Sequence, residues 1–135
     1  MQVYYPMEKN EGTILCVDDD PDTCEMLTLL LGLAGYEVMA TGSITEGVYF
    51  AIAHTVDLIL LDWVLEDGTG VELCTELRSI GVTAPILFYT GKNITNELLD
   101  DALRAGAQGF LTKPVDANTI LHRVSDFIGQ PKLNQ

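Results

Sequence analysis

Polar residues that could carry chemistry follow four separate apolar runs of this chain. They are Asp18 and Asp19, Asp62, Thr90, and Lys113. Short apolar runs bounded by turn residues are typical of strands buried on both faces of a parallel sheet. The carboxyl ends of parallel strands lie at one edge of the sheet, where ligands of such sheets bind. The sequence therefore predicts that these five side chains line one pocket.

The formal charges of this pocket favour a divalent cation. Three carboxylates against one ammonium leave a formal charge of −2, which repels an anionic substrate. Mg²⁺ takes oxygen ligands and is commonly held by one or two carboxylates together with substrate phosphate. With Mg²⁺ bound, the formal charge is zero and a phosphoryl group could approach. We therefore predict Mg²⁺ as the cofactor, with Mn²⁺ as a substitute.

Asp62 is the predicted nucleophile of this pocket. Attack of its carboxylate on phosphorus gives an aspartyl phosphate, a known form of covalent catalysis by carboxylates. Lys113 and the metal would neutralise charge on the phosphoryl oxygens, and the Thr90 hydroxyl would donate a hydrogen bond to one of them. Each residue taken alone has an ordinary structural explanation as a turn, loop or capping residue. Their coincidence at the ends of several strands favours the chemical interpretation.

Strand-like and helix-like segments alternate five times along the chain. The predicted helices run from Pro21 to about Ala34, from a Ser43 cap to about Ala53, from a Thr69 cap to about Ile80, from about Thr95 to Ala105, and from an Asp116 cap to about Ile128. Glu46 and Glu72 stand three residues after the Ser43 and Thr69 caps, which is the capping-box spacing. The order predicts a flavodoxin-like, doubly wound sheet of five parallel strands, (βα)5, with helices on both faces.

The apolar stripe of the first helix predicts which of its sides faces the sheet. Five residues at helical spacing form the stripe: Met26, Leu27, Leu30, Leu31 and Ala34. Such a stripe is expected to pack against the core. Asp20, which precedes this helix, is expected to cap it rather than to join the acidic pocket.

The composition predicts one acidic domain. A chain of 135 residues is long enough for a single domain with its own core. We place the domain at 13–128, between a flexible segment at 1–12 and a tail or linker at 129–135. The net charge of −13 works against binding to nucleic acid or anionic membranes. No signal-peptide core or membrane-length apolar run is found, so a cytoplasmic location is expected.

Cysteines and histidines are not predicted to take part in the chemistry. Cys16, Cys24 and Cys74 lie inside apolar patterns without a Cys-x-x-Cys spacing, so we expect reduced, structural thiols rather than metal ligands. His54 and His122 fall outside the set of strand-end residues. We expect them on solvated surfaces and do not assign either as a phosphodonor.

Residues 13–128 resemble the receiver domain of bacterial two-component response regulators, such as the chemotaxis regulators. Four motifs carry the resemblance: Val17-Asp18-Asp19, Asp62 with Gly70 eight residues on, Thr90-Gly91, and Phe110-Leu111-Thr112-Lys113-Pro114. Their combination is specific, although each motif alone is weak. The chain departs from the family at Glu66, where proline is common, and at Val115, where phenylalanine is common.

The resemblance implies that Asp62 is the phosphoacceptor, loaded from a phosphohistidine on a sensor histidine kinase or a phosphotransfer protein. Asp19 would ligate Mg²⁺ directly and Asp18 largely through water, while Asp62 and the backbone carbonyl of Val64 would complete the protein ligands. Val64 and Lys92 would tune the rate of hydrolysis. A domain of this kind is not an enzyme in the usual sense, because it catalyses only its own phosphorylation and dephosphorylation.

The resemblance also implies a conformational switch. Thr90 and Lys113 would hold the phosphoryl group, and Phe110 would be the aromatic switch residue. Its ring would swing inward as Thr90 moves, altering the surface made by the fourth helix, the fifth strand and the fifth helix. The peptide bond between Lys113 and Pro114 would be cis, which only an X-Pro bond allows at low cost.

Two partner surfaces are expected. The start of the first helix, with Pro21, Asp22, Glu25 and Met26, lies beside the acidic edge and is the predicted docking site for the kinase or phosphotransfer protein. The face of the fourth and fifth helices is expected to contact a downstream output protein or domain, or a second copy in a homodimer. The sequence is compatible with a stand-alone regulator and with a receiver from a longer protein.

Two alternatives compete with this interpretation. A degenerate receiver would bind partners without being phosphorylated, but it would lack Asp19, Asp62 or Lys113, and all three are present. A Mg²⁺-dependent phosphatase of the haloacid dehalogenase type would also use a strand-end aspartate. Such enzymes have a second aspartate two residues later, where this chain has Val64.

Overall fold

The computed structural model describes residues 11–91 and 93–128. The predicted flanking segments at 1–12 and 129–135 therefore lie outside the described residues, apart from Glu11 and Gly12, and so does Lys92. In chain order the elements are β1 (Thr13–Val17), α1 (Pro21–Leu33), β2 (Glu37–Thr41), α2 (Ile44–Ala53), β3 (Leu58–Leu61), β4 (Val64–Leu65), β5 (Gly68–Thr69), α3 (Gly70–Ser79), β6 (Ile86–Thr90), α4 (Asn96–Ala105), β7 (Gly109–Thr112) and α5 (Ala117–Ile128).

Five parallel strands form the main sheet in the order β2-β1-β3-β6-β7. With five helices around this sheet, the predicted (βα)5 fold is confirmed. The two-stranded antiparallel pair β4-β5 was not predicted. Each of its strands has two residues, too few for a period-two pattern to appear in the sequence.

The core lies on both faces of the sheet, because alternate strand residues point to opposite sides. Leu15, Ile59 and Phe88 pack on the face covered by α2, α3 and α4. Cys16 and Leu60 pack on the other face, covered by α1 and α5. Every residue of β3 and β6 is buried, which explains why these strands are continuous apolar runs instead of alternating ones.

The helix α1 presents a narrower face to the sheet than predicted. Leu27 and Leu31 are buried, but Met26 is 39% exposed and Ala34 is also exposed. Leu33, outside the predicted stripe, is 88% exposed. The helix is apolar on several sides, so the pattern of leucines could not decide which of them face the sheet.

Side-chain caps begin the helices largely where the sequence predicts them. Thr69 and Glu72 form the reciprocal capping box at the start of α3. Ser43 caps α2 by accepting a hydrogen bond from the Glu46 amide. The second half of the predicted box at α2 is wrong, because the Glu46 carboxylate accepts from the Thr41 hydroxyl instead.

The three cysteines are free thiols, as the sequence predicts. Cys16 and Cys74 are buried and Cys24 is half-buried, and burial raises the pKa of all three. No helix in the part of the chain that the structure describes is long and apolar enough to span a bilayer.

A pair of glycine substitutions tests how closely α3 approaches the end of β3. An added Cβ at Gly70 would overlap the Asp62 carbonyl oxygen and lie 2.7 Å from Phe88 Cε1, whereas at Gly32 it would meet nothing within 4 Å. We expect Gly70→Ala to lower the free energy of unfolding by about 1–3 kcal/mol through overpacking. Gly32→Ala should raise it by up to about 1 kcal/mol, because alanine has less backbone entropy to lose. Urea unfolding measures both, and equal effects would contradict this packing.

Candidate functional site

Three carboxylates meet at the carboxyl ends of β1 and β3. These strands are neighbours in the sheet, with Val17 in register with Leu61, so the residues that follow them lie side by side. One oxygen each from Asp18, Asp19 and Asp62 lies within 4.8 Å of the others. Asp18 is buried, Asp62 is half-buried and Asp19 is exposed. An oxygen cluster that opens to solvent on one side fits a hard divalent cation such as Mg²⁺.

Lys113 follows the edge strand β7, and its side chain reaches the same cluster. Its ammonium lies 2.7 Å from Asp18 Oδ2 and 3.4 Å from Asp62 Oδ2, and 5.3 Å from the centre of the Tyr89 ring. Its amide donates a hydrogen bond to the carbonyl oxygen of Thr90 at the end of β6, at 2.9 Å. The following Lys113-Pro114 peptide bond is cis.

The charges in this cluster are unbalanced. Burial raises the pKa of Asp18, and the negative charge of Asp62 raises it further. The hydrogen bond from Lys113 acts in the opposite direction but does not outweigh burial. Burial also acts to lower the pKa of Lys113, but the Asp18 and Asp62 carboxylates outweigh it, so the pKa of Lys113 is raised and its ammonium stays charged. Two carboxylates thus share one cation, and Asp19 adds a further negative charge. The negative charge left over in the pocket favours the binding of a second cation.

The Asp62 carboxylate is held in one orientation while remaining partly open. Its Oδ1 accepts a hydrogen bond from the Trp63 amide at 2.7 Å, and its Oδ2 lies near the Lys113 ammonium. The side chain is 13% exposed. A carboxylate that is oriented by two donors and accessible from solvent is suited to attack an electrophile. Asp20 stays out of this cluster, because its carboxylate caps α1 by accepting from the Asp22 amide at 3.1 Å.

An aromatic cluster begins at Trp63, the residue that follows Asp62. The Trp63 ring is 5.0 Å from the Phe88 ring and is stacked on the Phe110 ring at 6.5 Å and 17°, and Phe88 and Phe110 are 5.7 Å apart. Phe110 is half-buried, and Thr90 is buried at the end of β6. Trp63 was not among the residues predicted from the sequence. Its position next to Asp62 was a usable signal, because an apolar ring there has only the core to pack against.

The chain matches the family model of the response regulator receiver domain over residues 14–125. This protein belongs to that family. The phosphate regulon transcriptional regulatory protein PhoB of Pseudomonas aeruginosa is 32% identical over 114 residues, which are 83% of this chain and 49% of PhoB. The receiver therefore spans about half the length of that relative.

Solved receiver structures have the same fold. A two-component response regulator from Clostridium difficile superposes with a TM-score of 0.82 at 28% identity, covering 92% of this chain and 99% of that chain. The receiver domain of sensor histidine kinase PA1611 from Pseudomonas aeruginosa has a TM-score of 0.79 at 25% identity, covering 88% of this chain and 98% of that one. That structure has a magnesium ion coordinated in its active-site cleft.

The remaining predicted residues of the receiver lie around the pocket or on the surface. Val64 begins β4, two residues after Asp62, and is 53% exposed. The predicted docking residues are all exposed at the start of α1, beside the acidic cluster: Pro21, Asp22, Glu25 and Met26. His54 and His122 are exposed outside the cluster.

The shared ammonium of Lys113 generates a prediction about stability. We expect Lys113→Met to lower the free energy of unfolding at pH 7 by about 1–3 kcal/mol, because the buried Asp18 carboxylate loses its charged donor. The matched control is Arg104→Met on the exposed side of α4, which should change it by no more than about 0.5 kcal/mol. Urea unfolding of both variants measures the difference. A loss no larger than that of the control would show that Lys113 does not support Asp18.

Proposed function

We propose that this receiver domain is a phosphorylation-dependent signalling switch, in which Asp62 accepts a phosphoryl group from a phosphohistidine of a histidine kinase or histidine phosphotransfer protein. One observation carries the proposal. Asp62 lies at the carboxyl end of β3, with its carboxylate between two further carboxylates and the ammonium of Lys113. This arrangement supplies a nucleophile and a charged donor for phosphoryl oxygens in one pocket.

In the proposed transfer, a carboxylate oxygen of Asp62 forms a bond to phosphorus, and the bond between phosphorus and the histidine nitrogen breaks. The imidazole leaves with that electron pair, and an acyl phosphate remains on Asp62. Lys113 neutralises charge on the equatorial oxygens, and the Thr90 hydroxyl donates to one of them. Attack of water on phosphorus later restores the carboxylate and releases inorganic phosphate. The domain acts on its own side chain, so we regard it as a switch rather than an enzyme with a separate substrate.

The donor set also supports Mg²⁺ as the cofactor. Asp19 would bind it directly, Asp18 largely through water, and Asp62 with the Val64 carbonyl would complete the protein ligands. The ion would supply the positive charge that two or more carboxylates and a phosphoryl group together require. The magnesium ion in the related PA1611 receiver supports this assignment.

The aromatic cluster supports a route from Asp62 to the outer surface. Phe110 lies on β7 in register with Phe88 on β6. Phe88 stands two residues before Thr90 on the same strand. Movement of the Thr90 hydroxyl toward a phosphoryl group would leave space that the Phe110 ring can fill. Because β7 is the edge strand between α4 and α5, such a shift would alter the α4-β7-α5 surface for an output partner. The exposed start of α1 would serve the phosphodonor.

Intact mass spectrometry after incubation with acetyl phosphate tests the central step. We expect one phosphoryl adduct in the wild type with Mg²⁺, and none when the metal is removed by a chelator. Asp62→Asn should form no adduct, because the amide is not a nucleophile at phosphorus. Asp57→Asn is the matched control, since Asp57 precedes β3 and accepts from the Thr13 amide at the opposite end of the sheet. An adduct retained in Asp62→Asn would refute the assignment.

Amide chemical shifts measured by NMR before and after phosphorylation test the proposed switch. In the wild type we expect changes around Asp62 and along β7. Thr90→Ala should still be phosphorylated, but its shift changes along β7 should fall by at least about half, since the hydroxyl that follows the phosphoryl group is missing. Thr112→Ala is the control, because Thr112 is the exposed partner of Thr90 across the β6-β7 pair. Wild-type changes along β7 in Thr90→Ala would contradict this route.

A further inference from the structure

The β4-β5 hairpin connects Asp62 to α3 and is fixed to the fold at two places. At its base, the Gly70 amide donates to the Trp63 carbonyl oxygen at 2.8 Å. At its tip, the Glu66 amide donates to the Gly42 carbonyl oxygen at 3.0 Å, in the connection between β2 and α2. The hairpin is therefore tied both to the phosphoacceptor segment and to a neighbouring βα connection.

Asp67, at the tip of the hairpin, makes the most extensive of these contacts. Its Oδ1 accepts from the Ile44 amide at 2.6 Å, and its Oδ2 lies 3.3 Å from the Thr45 amide and 3.2 Å from the Thr45 hydroxyl. These donors form the first turn of α2, where amides have no partner within the helix. The negative carboxylate also interacts favourably with the positive end of the helix dipole.

The helix α2 thus has two caps with different consequences. Ser43 is the local cap and accepts from the Glu46 amide at 3.1 Å. Asp67 reaches the same turn from a segment more than 20 residues away in sequence. Loss of either cap weakens the start of α2, but only loss of Asp67 also removes a contact that holds the tip of the hairpin.

We propose that Asp67 is a positioning residue for the metal site, holding the β4-β5 hairpin so that the backbone of Val64 stays in place beside Asp62. This inference rests on the proposed function, in which the Val64 carbonyl is a metal ligand. The strands of the hairpin are two residues long, and Val64 itself is 53% exposed. A two-stranded hairpin is marginally stable alone, so its position depends on its contacts with the rest of the fold, which are the buried Leu65 side chain, the hydrogen bond at its base and the contacts at its tip.

Titration with Mg²⁺ at constant ionic strength, followed by the fluorescence of Trp63, tests this role. Trp63 is the single tryptophan of the chain and its amide contacts Asp62. We expect Asp67→Ala to weaken Mg²⁺ binding roughly 3- to 10-fold, toward the lower end of the effects of residues that support metal ligands indirectly. Asp67→Asn, which keeps one acceptor oxygen but not the charge, should fall between Asp67→Ala and the wild type.

Ser43→Ala is the matched control, because it removes a cap from the same helix end without touching the hairpin. Urea unfolding should show similar losses of stability for Ser43→Ala and Asp67→Ala, whereas Mg²⁺ affinity should fall only in Asp67→Ala. With acetyl phosphate, Asp67→Ala should be slow at limiting Mg²⁺ and recover the wild-type rate at saturating Mg²⁺.

Two outcomes would overturn the inference in distinguishable ways. Unchanged Mg²⁺ affinity in Asp67→Ala, with wild-type binding intact, would show that Asp67 is only a helix cap. An equal loss of affinity in Ser43→Ala would show that α2, and not the hairpin, supports the site. Absence of Mg²⁺ binding and of an acetyl phosphate adduct in the wild type would instead remove the proposed function itself.

Discussion

The structure depends on two carboxylates that share one ammonium at the end of a sheet whose strands β3 and β6 are fully buried. Asp18 is almost completely removed from water, and burial of a charge is costly unless it is paired. Lys113 supplies that pairing from β7, while it also lies near Asp62. The sheet must therefore hold β1, β3 and β7 in fixed order, since the pair forms only when three strand ends coincide. Asp19 adds a third carboxylate, so the negative charges in the pocket outnumber the one ammonium of Lys113.

The aromatic cluster gives this charged pocket a rigid connection to the sheet edge. The Trp63 amide holds the Asp62 carboxylate, while the Trp63 ring stacks on Phe110 of β7. A close-packed group of rings has few alternative arrangements, so a change at one end is expressed as a discrete rearrangement instead of a gradual shift. The short path from carboxylate to edge strand explains how a small chemical change could reach a surface between two helices.

The fold was predictable, and so was the cluster of Asp18, Asp19, Asp62 and Lys113, because both follow from the ends of the strands. Continuous apolar runs identified β3 and β6, and the polar residues after them identified Asp62 and Thr90. The β4-β5 hairpin was not predictable because its strands are only two residues long. The contact of Asp67 with α2 was not predictable because it joins positions more than 20 residues apart without a periodic signal. The buried face of α1 was predicted too wide for another reason. Leucines occur on several sides of this helix, and only the packing in the folded domain shows that Leu27 and Leu31 are the buried ones.

If the domain is the switch proposed above, the excess of negative charge in the pocket would make a cation more important for switching than for folding. Under the proposed function, a phosphoryl group of roughly −1.5 to −2 charge would replace the single negative charge of Asp62, in a pocket where carboxylates already outnumber ammonium groups. Lys113 could offset only part of this charge, so the proposed phosphorylated state would depend on how well the oxygen ligands hold a cation. The core is built from fully buried apolar side chains such as Leu15, Ile59 and Leu87, which cannot ligate a cation. Under that proposal, residues that position the ligand segment, such as Asp67, would set how tightly the cation is held.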